Sequence, residues 1–238
     1  MTSFKDFGLA DPISRALVEE NYQTPTPIQA QTIPVAMTGR DVVGIAQTGT
    51  GKTAAFALPI LHRLAAARRR PTGRTCRALI LAPTRELALQ IAESFNRYGR
   101  FLPLRVTCVF GGVSERPQIQ ALQPGVDVLV ATPGRLLDLI GQRAVSLGEL
   151  EVFVLDEADR MLDMGFIHDV RRIVRTLPAT RQTALLSATM PADIATLARD
   201  LLREPVRIEV TPPATTVERI AQQVMFVDTA KKRELLVR

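Results

Sequence analysis

The chain runs to 238 residues, with 30 Lys+Arg against 24 Asp+Glu for a net charge of +6, and 46% of it is apolar. At roughly 150 residues per domain this is one large domain or a domain and a half, with enough apolar material for a buried core; the modest basic excess permits a polyanionic partner without demanding one. Two distant cysteines, Cys76 and Cys108, exclude a zinc site or a disulfide framework and suit a reducing cytoplasm. The charged start MTSFKDFGLADP does not read as a signal peptide, and no run of about 18 apolar residues offers a membrane span.

The first predicted helix covers DPISRALVEENY, with Asp11 as its N-cap, Pro12 at the first helical position and Ile13, Leu17 and Val18 as its apolar stripe. QTPTPIQ interrupts it, and a second helix starts at about Pro27. Seven short apolar runs then recur: DVVGIA, RALILA, RVTCVF, VDVLVA, VFVLD, TALLS and VRIEV. Helical patterns such as GKTAAFALPILHRLAAA and RELALQIAESFNRYG lie between most of them. Buried runs alternating with helices predict an α/β fold: an open, mostly parallel, doubly wound sheet with helices on both faces and ligands beyond the carboxyl ends of the strands. The basic run AAARRRPTGRTCR, residues 65–77, reads as a solvated loop, with a nucleic-acid contact as the minority alternative. His62 and His168 sit within helical patterns as structural or exposed residues, and QQVMFVDTAKKRELLVR reads as one more strand followed by a charged helix start.

Two stretches carry chemistry. AQTGTGKT, residues 46–53, follows an apolar strand and opens a helix, which is the setting of a phosphate loop. Gly49 and Gly51 can take positive φ, so that successive backbone N–H groups converge on an anion at a helix N-terminus. Lys52 would reach the β- and γ-phosphates and Thr53 would present its hydroxyl to magnesium. The first residue is Ala46 where the common pattern has glycine; its methyl group fits if the residue stays in β geometry. In EVFVLDEAD a strand ends on Asp156, placed to hold magnesium through water, followed by Glu157, placed to polarise an attacking water.

Asp156 to Asp159 spell D-E-A-D, and the chain resembles the DEAD-box ATP-dependent RNA helicases, in particular the RecA-like phosphate-loop domain at their N-terminal side. The motifs appear in order from Phe4 to about Val227: YQTPTPIQ as the Q motif, AQTGTGKT as motif I with the family's alanine, PTREL as motif Ia, the Gly111–Gly112 pair, TPGR as motif Ib and SAT as motif III. The flavour is bacterial, towards the RhlE-like subgroup. The resemblance implies ATP, with ADP or AMP as bound products, and Mg²⁺ as cofactors. Lys52 and Glu157 become the catalytic pair; Phe4, Tyr22, Thr24, Gln29, Ala46, Gln47, Thr48, Gly49, Thr50, Gly51, Lys52 and Thr53 bind the nucleotide; Thr53 and Asp156 hold the metal. Gln29 and Thr24 would bond the adenine edge and Phe4 would stack on it, leaving Phe7 to anchor the first helix. Asn21 stands where the family has glycine and can keep the left-handed turn. Pro83, Thr84, Arg85, Gly111, Gly112, Thr132, Pro133, Gly134 and Arg135 would line a track for the RNA backbone that reads no sequence. Ser187 and Thr189 would bond the end of the D-E-A-D strand, Asp159 above all, and couple nucleotide to RNA.

The implied organisation is a Q-motif region over 1–32, the ATP-binding RecA-like domain over 33–210, and over 211–238 the start of a linker towards a second RecA-like domain. The His-Arg-Gly-rich motif of that second domain does not occur in these 238 residues. The expected partners are RNA and the second domain, with no membrane, and a monomer is expected. Two other readings stand beside this one: a free-standing nucleotide-gated interaction module, and a phosphate-loop kinase, which would need neither TPTPIQ nor SAT.

Overall fold

The computed structural model describes residues 3–67, 69–210, 225–228, 231, 232 and 235. A 3-10 turn, Phe4–Phe7, and two helices, α1 (Asp11–Glu19) and α2 (Pro27–Met37), lead into the first strand. The strands are β1 (Val42–Ile45), β2 (Cys76–Leu81), β3 (Val106–Val109), β4 (Val126–Ala131), β5 (Val152–Leu155), β6 (Gln182–Ser187) and β7 (Val206–Glu209). Between them run α3 (Lys52–Ala66), α4 (Arg85–Tyr98), α5 (Arg116–Leu122), α6 (Pro133–Gly141), α7 (Ala158–Asp163), α8 (Ile167–Val174) and α9 (Ala192–Leu201). All seven apolar runs became strands of one sheet, ordered β3-β4-β2-β5-β6-β1-β7, and every pairing is parallel.

Burial explains the runs. Strands β2, β4 and β5 are buried at every residue, so both faces of each must be apolar, whereas the edge strands β3 and β7 are buried only in part. Alternate residues feed two apolar layers. Leu79, Leu81, Leu129, Phe153 and Leu155 pack with Leu136, Leu139, Val170, Ile173 and Leu197 from α6, α8 and α9. Ala78, Ile80, Val128, Val130 and Val154 pack on the other face with Ile13, Phe56, Leu58, Leu61 and Phe95 from α1, α3 and α4.

Three expectations are corrected. The N-cap of α1 is Ala10, and Asp11 is already helical. The buried stripe is Ile13, Ala16 and Leu17, while Val18 is 63% exposed, one helical step off the face. The basic run is not all solvated: α3 continues to Ala66, and Arg77 belongs to β2, where it is wholly buried. Its Nε lies 2.8 Å from Glu151, its Nη1 lies 3.4 Å from Asp127, and Nη1 also donates to the carbonyls of Leu64 and Arg69 at 3.2 and 3.0 Å. Asn21 takes the left-handed conformation, φ 58°, and Tyr22 N–H caps the helix on Leu17 O at 2.9 Å. His62 is structural, its Nδ1 accepting from Ala10 N–H at 3.1 Å, and His168 is exposed. The expected final strand and helix start fall mostly outside the described residues; Met225–Asp228 form no regular element.

Candidate functional site: a nucleotide pocket beside a phosphate track

The strand order sorts the motifs into two neighbouring strips on one edge of the sheet. Phosphate loop, D-E-A-D and SAT leave the carboxyl ends of β1, β5 and β6; PTREL, the glycine pair and TPGR leave those of β2, β3 and β4. The strips meet where β2 pairs with β5.

In the first strip, Ala46 N–H donates to Ser187 O at 3.0 Å, so the strand ladder runs one residue past β1 before the loop turns. Ala46 is 2% exposed and has no positive φ, which is how the alanine is accommodated. Gly49 and Gly51 then turn with φ 84° and 91°. Gly51 is required twice over, because a Cβ there would also collide with the Gln29 amide. Gln29 is buried; its Oε1 accepts from Thr26 N–H at 2.9 Å and its Nε2 donates to Gly51 O at 3.1 Å. Its amide therefore fastens the Q motif to the phosphate loop. The Lys52 Nζ is folded back onto Ala46 O at 2.7 Å, Thr50 Oγ1 donates to Gln47 O at 2.7 Å, and Thr53 is half-buried in the first turn of α3. Thr24 is exposed.

Phe4 is only 5% exposed and meets Phe7 and Tyr22 edge to face at 5.8 and 5.7 Å. The anchoring expected of Phe7 thus falls to Phe4, because the Ser3-capped turn drives Phe4 into the core and leaves Phe7 half-buried. A base would stack on Phe4 only after the ring turns out of this cluster. Tyr22 is held by a 2.9 Å hydrogen bond between its hydroxyl and that of Tyr98.

Asp156 is 2% exposed, and burial pushes its carboxyl up to about 6 against the pull of nearby Lys52. Glu157 holds a left-handed backbone, φ 52° and ψ 53°, a conformation that costs an acidic residue about 1 kcal/mol or more. Its Oε1 accepts from Thr48 Oγ1 at 3.4 Å across a cleft of about 550 Å³ that Asp159, Arg160 and Ala188 also line. Ser187 Oγ accepts from Asp159 N–H at 3.2 Å, and the Asp159 carboxylate accepts both N–H and Oγ1–H of Thr189 at 2.9 Å. Those bonds outweigh partial burial and hold the Asp159 carboxyl below its ordinary range.

The state of Asp156 is testable. Its pKa of about 6 stands above the ordinary 3.8, so its contribution to stability is complete below about pH 3.8 and is lost as pH rises through 6. The isosteric Asp156→Asn chain, without ligands, should be more stable at pH 8 by on the order of 2–3 kcal/mol, roughly halved by pH 5. Thermal unfolding at the two pH values measures this; an equal gain at both would contradict it.

In the second strip, Pro83 is buried, Thr84 caps α4 by accepting from Leu87 N–H at 3.3 Å, and exposed Arg85 lays its guanidinium 4.7 Å from the Phe110 ring centroid. Thr132 is the N-cap of α6, and Pro133 and Gly134 form its first turn. Arg135 Nη2 donates to Val113 O at 2.9 Å, while its buried Nη1 has no partner among the described residues. Gly111 and Gly112 are exposed, with open space where a Cβ would stand. Sequence reasoning missed the left-handed Glu157 and the buried Gln118 beneath the glycine pair. A single glutamine in a helical pattern reads as surface, so no sequence signal marks Gln118.

The fold and its first strip define a RecA-like phosphate-loop domain. Residues 26–197 match the family described as DEAD/DEAH box helicase. The chain is 44% identical over all its 238 residues to the ATP-dependent RNA helicase DeaD of Klebsiella pneumoniae, of which it covers 36%. It is 41% identical over 236 residues, or 99% of its length, to the DEAD-box ATP-dependent RNA helicase CshA of Bacillus subtilis, of which it covers 47%. Among solved structures it resembles a DEAD box protein from Methanococcus jannaschii, with TM-score 0.82 and 36% identity over 89% of this chain and 56% of that one. The chain belongs to the DEAD/DEAH box helicase family, and it spans less than half the length of these two curated relatives. Among the described residues no helix is long and apolar enough to cross a membrane.

Proposed function

We propose that this chain is the ATP-binding part of an ATP-dependent RNA helicase, with residues 1–32 as the base-reading region and 33–210 as the RecA-like domain. The observation that carries the reading is the contact of Gln29 with Gly51, which sets a donor–acceptor amide on the phosphate loop itself.

The residues present fit a magnesium nucleotide. Gly49 has open space over it, Lys52 Nζ donates to a loop carbonyl that phosphate oxygens could replace, and Asp156 is buried at the end of β5. Magnesium takes one or two protein oxygens and completes its shell with phosphates and water. Lys52 and the N–H groups of residues 48–53 would hold phosphate, and Thr53 and Asp156 would hold magnesium. Bound ATP supplies a cleavable phosphoanhydride. Glu157, fixed by its strained backbone, orients and deprotonates water from its carboxylate. Asp159, gripped by Ser187 and Thr189, carries a change at β5 to the loop after β6. Arg85, the glycine pair and the N-termini of α4 and α6 bind an RNA backbone through phosphates; RNA as the polymer follows from the names of the relatives.

Base reading by Gln29 gives the test. The unsubstituted chain should prefer ATP over GTP, and Gln29→Ala should erase about ten-fold of that preference. The ratio is the readout, since the substitution also loosens the loop. An unchanged ratio in a nucleotide titration would defeat the assignment.

A further inference from the structure

The loop after β3 carries the glycine pair at its crest, and its two ends are tied to one buried side chain. Gln118, the third residue of α5, is 9% exposed. Its Oε1 accepts from Phe110 N–H at 3.1 Å, while its Nε2 donates to Phe110 O at 3.1 Å and to Ser114 O at 3.3 Å. A primary amide accepts through its oxygen and donates through its nitrogen, so it meets both the N–H and the C=O of Phe110 and continues for that residue the pairing that an edge strand lacks beyond its last residue. Between Phe110 and Ser114 the exposed segment Gly111, Gly112 and Val113 arches away, braced once more where Arg135 meets Val113 O. The same Phe110 carries the Arg85 guanidinium on its ring.

We infer that Gln118 is the positioning residue of the phosphate track: one buried amide sets both the glycine-pair loop and, through Phe110, the direction of Arg85. Gln118 touches no RNA itself. This rests on reading the loop as part of the RNA track. Two successive glycines freed from their tether would sample many backbone states, and a strand of RNA would have to order them on binding. Fixing even one residue's backbone is worth roughly ten-fold in affinity.

The test uses the 238-residue chain, a labelled single-stranded oligouridylate and low salt. Gln118→Leu should weaken RNA binding about ten-fold, leave nucleotide affinity unchanged, and remove hydrogen-exchange protection from the Phe110 amide alone. Gly111→Asp reports on the track directly: Gly111 has no positive φ and nothing near its Cβ position, so the variant folds and sets an anion against the phosphates. If Gly111→Asp weakens RNA binding and Gln118→Leu does not, the role of Gln118 is overturned while the track stands. If Gly111→Asp has no effect, the track itself fails. Gln118→Glu guards against misfolding of the leucine variant. It keeps the shape and the acceptor for Phe110 N–H but turns an acceptor towards two carbonyls, so RNA binding equal to the unsubstituted chain's would overturn the inference.

Discussion

Assayed alone, the 238-residue chain should bind adenine nucleotide yet hydrolyse it on the order of 10³–10⁵-fold more slowly than a two-domain helicase saturated with RNA. The resemblance assigns the arginine fingers that neutralise the γ-phosphate to the second RecA-like domain, and a finger of that kind lowers the barrier by about 4–7 kcal/mol. What the chain holds is one wall: a lysine at the phosphate loop, a buried aspartate and a glutamate in a left-handed turn beside it. Phosphate release measured with and without RNA, beside a nucleotide-binding titration, separates the two halves of this expectation. Rapid RNA-stimulated turnover by the chain would refute it, whereas absence of nucleotide binding would refute the pocket instead.

The largest expected effect on stability lies far from that pocket. Replacing Arg77 with methionine should destabilise the fold by about 3–5 kcal/mol, which for a domain of this size is a fall in Tm of roughly 6–20 °C. The side chain is wholly buried within 3.4 Å of two carboxylates; its loss strands the buried Asp127 and takes the partner from Glu151, whose side chain is 21% exposed. Asp127 keeps one donor, Arg105 N–H at 2.9 Å, which does not neutralise its charge. Because the cost comes from the stranded charges, Arg77→Met combined with Asp127→Asn and Glu151→Gln should recover part of the loss. Denaturant unfolding of the single and triple variants tests this. A loss no greater than that of Arg172→Met, an exposed pair on α8, would mean that the buried cluster contributes little.

The two experiments divide along what could be read beforehand. Every strand was legible, because a strand buried on both faces must be apolar at consecutive positions, and that demand is local. The phosphate loop and D-E-A-D were legible for a similar reason: their chemistry needs fixed residue types within a few positions of a strand end. Arg77 was not, since its acids stand 50 and 74 residues away and only the fold shows that they converge. Gln118 was hidden because its partners are backbone groups, which carry no residue identity. Glu157 was placed correctly at the strand end, but its left-handed backbone leaves no mark in composition or period. Phe4 and Phe7 exchanged the anchoring role because the direction of a single turn, set by Ser3, decides which ring faces inward.

Ser187 has a mechanical consequence. Its carbonyl takes the N–H of Ala46, its hydroxyl takes the N–H of Asp159, and two residues later Thr189 clasps the Asp159 carboxylate. The phosphate loop and the D-E-A-D turn are thus both bonded to one buried residue at the carboxyl end of β6. Joined in this way, the phosphate loop and the D-E-A-D turn share an anchor, so a displacement of either strains the hydrogen bonds that hold the other.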